Sequence, residues 1–157
     1  MIQGKIKTTN VFHKAYRSNT RITCLQGGTR SSKTYSLCQL FIVKCLEETG
    51  KVFTICRKTL PALKGTAYRD VISILKELEL YNEANHNKSE LSYMLNGNLI
   101  EHISIDQSQK IRGRKRDYLW LNEANEFNYE DWQQLILRTT GKIYLDYNPS
   151  DPYSWIY

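Results

Sequence analysis

A strand that runs into a small-residue loop and then straight into an apolar helix permits few architectures. Residues 22–40, ITCLQGGTRSSKTYSLCQL, have that form. The β-prone run Ile22, Thr23, Cys24, Leu25 leads into Gly27, Gly28, Thr29, Arg30, Ser31 and Ser32, and Lys33 and Thr34 follow at once. The spacing nearly reproduces the phosphate cradle G-x-x-x-x-G-K-[ST]. Gly27 and Gly28 let the backbone bend and present its N–H groups as an anion nest. The positive end of the following helix adds its field at the same point. Lys33 would reach the β- and γ-phosphates as a point charge, and the Thr34 hydroxyl would ligate Mg²⁺. Ser32 stands where the pattern has glycine. Serine is small and needs no positive φ in the first turn of a helix, so the loop is expected to survive. The competing reading is a small-residue turn with a chance lysine.

At 157 residues the chain is expected to form one domain with a real core. Its hydrophobic content of 41% and charged content of 24% are those of a globular protein. No apolar run approaches membrane-spanning length, and the polar start MIQGKIKTTN does not read as a signal peptide. A net charge of +6 leans towards an acidic partner, nucleic acid or nucleotide. Cys24, Cys38, Cys45 and Cys56 form no C-x-x-C pair, and the histidines are too scattered for zinc. All four thiols are expected to be small buried apolar groups in a reducing compartment.

Taken in order, Phe12 and Tyr16 are i, i+4 neighbours if helical. They would either stack on an adenine ring or pack on the sheet edge. Leu37 to Leu46 is apolar nearly all round, as a helix buried against a sheet should be, and Gly50 closes it. Residues 52–56 read as a strand of a parallel sheet covered on both faces. Arg57 and Lys58 end it, where they would face phosphate or DNA, or simply water. Pro61 is read as closing that region, and from Thr66 an amphipathic helix follows. Asn96-Gly97 between two β-prone runs predicts a hairpin. The basic run KIRGRKR (Lys110, Arg112, Arg114, Lys115 and Arg116 its cations) reads equally as a solvated loop or as a contact to a DNA backbone or nucleotide.

Tyr118 to Leu121 predicts another buried strand, ended by Asn122 and Glu123. An apolar strand ending in an acidic pair is the usual companion of a phosphate loop. The first acid holds the metal shell and the second orients water. Asn122 cannot supply charge; Glu123 keeps the water-activating place. Asn128 predicts an N-cap with Glu130 and Asp131 behind it. A last strand, 143–147, leads to Asn148, which either senses the γ-phosphate or begins a turn. The order implies an α/β fold: a P-loop NTPase of the ASCE, RecA-like kind. Its mainly parallel central sheet would be flanked by helices and carry a β-hairpin insertion. Glu123 makes it an ATPase rather than a kinase.

The blocks QGGTRSSKTYS, ICRKTLPALKGTAYRD, LNGNLIEHISID, KIRGRKRDYLWLNEANEF and YLDYNPSDPYSWIY, in this order, resemble the large subunit of tailed-phage terminases. That resemblance implies an ATP-driven motor that pumps double-stranded DNA into a procapsid. It further implies ATP and Mg²⁺, a portal protein, a small terminase subunit, and a homo-oligomeric ring. The setting would be the host bacterial cytoplasm, with transient docking on the portal and no membrane. It assigns Lys33 and Thr34 to phosphate and metal, Glu123 to hydrolysis, and Asn148 to a coupling motif. Many members place an arginine directly after the paired glycines. Here Thr29 holds that place and Arg30 comes next, as the candidate internal arginine finger. Arg138 is a second candidate, for delivery to a neighbouring subunit. With Asn122 in the usual aspartate position, weaker metal affinity is expected unless Asp146 helps. Full large terminases continue into a ribonuclease H-like nuclease. Residues 1–157 are therefore expected to be a single, incomplete ATPase domain that does not cut DNA. Two other readings stand: another nucleic-acid-dependent P-loop ATPase, and a nucleotide-binding module without turnover.

Overall fold

The computed structural model describes residues 10–26, 33–107 and 115–148. Among these, strands β1 (Ile22–Gln26), β2 (Val52–Arg57), β3 (His86–Asn87), β4 (Ser92–Leu95), β5 (Asn98–Ser104), β6 (Tyr118–Leu121) and β7 (Ile143–Tyr147) form one sheet. Its order is β1-β7-β6-β2-β5-β4-β3. From β1 across to β5 every pairing is parallel; β4 and β3 complete the far edge through antiparallel pairings. Helices α1 (Asn10–Arg17), α2 (Lys33–Glu47), α3 (Leu60–Gly65), α4 (Ala67–Glu77) and α5 (Tyr129–Leu137) flank it. This is the mainly parallel α/β architecture that the strand–loop–helix start implied. None of the described helices is long and apolar enough to cross a membrane.

The central strands are apolar on both sides because both sides are covered. On one face α2 lies against β2, β6 and β7. The Phe41 ring meets those of Phe53, Trp120 and Tyr144 edge-on at 5.3, 5.9 and 5.8 Å. Complete burial of such a ring contributes about 2–3 kcal/mol of transfer free energy. On the other face Cys56, Leu119, Leu121, Ile143 and Leu145 pack with Phe127 and with Leu135 of α5. Helix α5 starts on the capping box that Asn128 predicted, its side chain taking the Asp131 N–H at 2.8 Å. At the start of β7, a Cβ on Gly141 would stand 2.1 Å from the Asp117 carbonyl oxygen, so that close approach admits only glycine.

The hairpin forms at Asn96 (φ 52°) and Gly97 (φ 76°), both left-handed as a type I′ turn requires. Its second arm is no appendage, because β5 pairs in parallel with β2 along six residues. Asn98, next to the turn, is buried. Its amide donates to the Cys45 and Glu48 carbonyls at the end of α2, both at 2.8 Å.

Several expectations need correction. Pro61 opens a helix rather than closing a region: it sits in the first turn of α3, where a missing N–H is harmless. Phe12 and Tyr16 are helical neighbours, and their helix α1 packs chiefly against α2, with a smaller contact to the edge strand β1. Phe12 joins the core, and the Tyr16 hydroxyl donates to Glu47 at 2.6 Å, at the opposite end of α2 from Lys33. Cys38, Cys45 and Cys56 are buried, but Cys24 is exposed on the outermost strand β1. Arg116 is not a solvated cation. It is 1% exposed, hydrogen-bonded through its main chain to Arg138 and Thr140 and through Nη1 to the Leu135 carbonyl, so its guanidinium cannot meet a DNA backbone.

His102 lies wholly buried under the Tyr68 ring, and its Nδ1 donates to the Leu91 carbonyl at 2.8 Å. No partner faces Nε2 among the described residues, so a second proton would bury an uncompensated charge. Burial accordingly pushes its pKa down to about 4. The unfolded chain binds that proton below about pH 6.5, whereas the folded chain resists it down to about 4. Folding stability should therefore fall as pH drops between those values, by about 2 kcal/mol at pH 5. Urea midpoints at pH 7.5 and 5.0 check this, and a His102→Gln variant should show a smaller difference between the two.

Candidate active site

In a parallel sheet the carboxyl ends of the strands share one edge, where α/β folds bind ligands. Here that edge gathers Tyr147 at the end of β7 with Asn148 after it, Asn122 and Glu123 after β6, and Arg57 at the end of β2, with the start of α2 beside them. Lys33, the first residue of α2, is 5% exposed and its Nζ donates to the Tyr147 carbonyl at 2.9 Å. The Asn122 amide nitrogen stands 3.3 Å from the Thr34 hydroxyl and 3.1 Å from Asp146 Oδ2. Two stretches 88 positions apart in sequence thus meet at one point.

Asp146 is the buried centre of this cluster. Its carboxylate accepts from Trp120 Nε1, from the Asn122 amide, and from the Glu123 main-chain N–H at 3.1 Å. Burial raises its pKa, and these three donors with the Lys33 charge oppose the rise. Glu123 itself is half-buried and its pKa is also raised, first by burial and then by the Asp146 charge; Arg57 and Lys33 pull the other way. Its backbone is left-handed (φ 53°, ψ 61°), a conformation that costs a non-glycine residue about 1–2 kcal/mol and often marks functional positions. The arrangement can hold a phosphate near Lys33 and present a carboxylate of raised basicity beside it.

The structure therefore brings together Lys33, Thr34, Asn122, Glu123 and Asp146, with Asn148 adjoining Tyr147. Gly27, Gly28, Thr29, Arg30, Ser31 and Ser32 lie outside the described residues, as do Lys110, Arg112 and Arg114. Lys115 is exposed. Arg138 is exposed at the end of α5, where its carbonyl takes the Arg116 N–H beside the start of β6. That is the opposite end of the sheet, so it does not join the site within this chain. Arg57 and Lys58 are engaged rather than merely solvated: Arg57 pairs with Glu126 at 3.2 Å and Lys58 with Asp131 at 3.1 Å.

Thr66 went unnoticed as a site residue in the sequence. Its hydroxyl donates to the Ala62 carbonyl, receives Arg57 Nη1 at 2.9 Å, and lies 3.4 Å from Asn122 Oδ1. Only its place at the start of α4, as a polar residue between two helices, hinted at a contact.

The fold defines the class, a mainly parallel α/β fold of the P-loop kind, with the candidate site at the carboxyl edge of the sheet. A profile of the phage terminase large subunit matches residues 19–157, and the chain belongs to that family. No curated protein matches it in sequence. The fold is similar to the large terminase of a thermophilic bacteriophage, with a TM-score of 0.78 at 15% identity over 96% of this chain and 41% of that one. It is also similar to the ATPase domain of the Thermus phage P74-26 large terminase, with a TM-score of 0.72 at 15% identity over 90% of this chain and 64% of that one. The first of these proteins, in complex with ATP-γ-S, matches at 0.65 and 18% identity, over 96% of this chain and 40% of that one. The chain thus spans less than half the length of the first large terminase it matches.

Proposed function

We propose that this chain is the ATP-hydrolysing motor domain of a phage terminase large subunit, driving translocation of double-stranded DNA into a procapsid. The observation that carries this is the meeting of Lys33 and Thr34 with Asn122, Glu123 and Asp146 at one sheet edge, in a member of this family. Lys33 grips the β- and γ-phosphates, with Gly27 to Ser32 closing around them. Glu123 orients and deprotonates the attacking water. Asn148, next to the carbonyl that Lys33 holds, reports the γ-phosphate to the rest of the domain. Arg30 supplies positive charge to the phosphates from within the chain, and Arg138 is the candidate for a neighbouring subunit in a ring. Lys115, with Lys110, Arg112 and Arg114, faces the DNA backbone. The portal protein and a small terminase subunit are the proposed partners, and the host cytoplasm the proposed setting.

The groups at the site suit Mg²⁺: the Thr34 hydroxyl is a hard oxygen ligand, and the buried Asp146 carboxylate adds negative charge behind it. No group of three or more His, Cys, Asp or Glu side chains is placed to cage a metal among the described residues. Mg²⁺ is commonly held by one or two protein oxygens together with substrate phosphates. When bound, Mg²⁺ neutralises developing phosphate charge.

Asn122 favours a second reading, nucleotide binding without turnover. Steady-state phosphate release by the purified chain with ATP, Mg²⁺ and duplex DNA separates the two when ATP-γ-S binding is measured alongside. Binding with DNA-stimulated release is expected. Binding without release favours the second reading, and no binding overturns both.

A further inference from the structure

Strands β6 and β7 run parallel with Leu121 opposite Leu145, so the next pair in register is Asn122 and Asp146. An amide stands where the acidic strand ends, and a carboxylate stands beside it on the neighbouring strand. The two are bonded at 3.1 Å, and the amide also reaches the Thr34 hydroxyl at 3.3 Å. Asp146 has no exposed surface. A buried carboxylate is strongly unfavourable unless charges or donors compensate it. Trp120, Asn122 and Glu123, from the stretch that carries the acidic-strand motif, donate hydrogen bonds to it.

We propose that the negative charge expected at position 122 has moved one strand across. Asp146 supplies the charge for the divalent cation that accompanies the nucleotide, and Asn122 is the neutral spacer that ties it to Thr34. Asp146 is then a positioning and charge-supplying residue of the reaction rather than a plain anchor for the turn at Glu123. This rests on the proposed ATPase reading. It also gives a role to the acid that stands fourth in the otherwise apolar strand IYLDY.

The test is Mn²⁺ binding in the presence of ATP-γ-S, read by electron paramagnetic resonance, together with ATP-γ-S affinity in EDTA. Asp146→Asn should weaken Mn²⁺ binding about 10–100-fold, the usual effect of removing a group that supports a metal ligand. Its nucleotide affinity in EDTA should not fall, since without metal the loss of a negative charge near the phosphates cannot weaken their binding. The transposed pair Asn122→Asp with Asp146→Asn should recover most of the Mn²⁺ affinity. An Asp146→Asn protein with the parental Mn²⁺ affinity overturns the inference, as does a folded transposed pair that recovers none. Should the single variant fail to fold, the transposed pair decides alone, since it keeps one amide and one carboxylate in the same space. Parental protein that binds ATP-γ-S but shows no response to Mn²⁺ sinks only this inference. Parental protein that binds no nucleotide sinks the ATPase reading with it.

Discussion

A Glu123→Gln protein should release phosphate about 10²–10⁴-fold more slowly than its parent, the range that a positioned general base supplies, while still binding ATP. Glutamine keeps the length, the volume and the hydrogen-bonding outline of the side chain, and it tolerates the left-handed backbone about as well as glutamate. Only the proton-accepting charge is lost. Glu123 is the more exposed of two neighbouring carboxyl groups; Asp146 lies behind it, and part of the rise in its pKa comes from that neighbour's charge. Removing one of two like charges beside a triphosphate should not weaken nucleotide binding. Phosphate release at the parental rate from this variant, with ATP saturating, would show that another group activates the water.

Lys33→Ala should lose both binding and turnover. The ammonium is held in place by the Tyr147 carbonyl and is nearly buried, so a phosphate that reaches it meets a charge poorly screened by water. Losing a charge-assisted hydrogen bond costs about 1.5–3 kcal/mol, or roughly 10- to 150-fold in affinity per contact. Lys33 is expected to serve two phosphates, which places the loss at the upper end. Equilibrium titration with ATP-γ-S measures this, with far-ultraviolet circular dichroism to show that α2 remains folded. A variant that binds nucleotide at parental affinity would remove Lys33 from the phosphate contact.

Much of this architecture was legible because local chemistry and long-range packing agree. The apolar run Val52 to Cys56 had to be a strand covered on two faces, and it lies mid-sheet. Asn96-Gly97 demanded a left-handed turn and forms one. The misses are positions where the partner, not the residue type, sets the outcome. Cys24 sits in an apolar run, but its exposure follows from β1 being outermost, a property of strand order that no local window contains. Arg116 closes a basic run and so reads as surface, yet the Leu135 carbonyl and the main chain at the end of α5 take it inside. Phe12 and Tyr16 carried the right spacing, but spacing says nothing of which helix they meet. In the site, Asn122 and Glu123 were marked by the apolar strand before them. Thr66 was invisible because its role depends on a helix start crossing over two other strands' ends.

Helix α2 is pinned at both extremities. Its first residue is roped to the last strand through Tyr147, and its final turn is clamped by the two asparagine amides that flank Gly97. Between them fifteen residues make a rod about 22 Å long, wedged by Phe41 against rings from three strands. Such a rod has little freedom to flex in place. A displacement of its front end would therefore be carried lengthwise to the hairpin, which makes α2 a stiff link between the edge that holds Lys33 and the turn at Gly97.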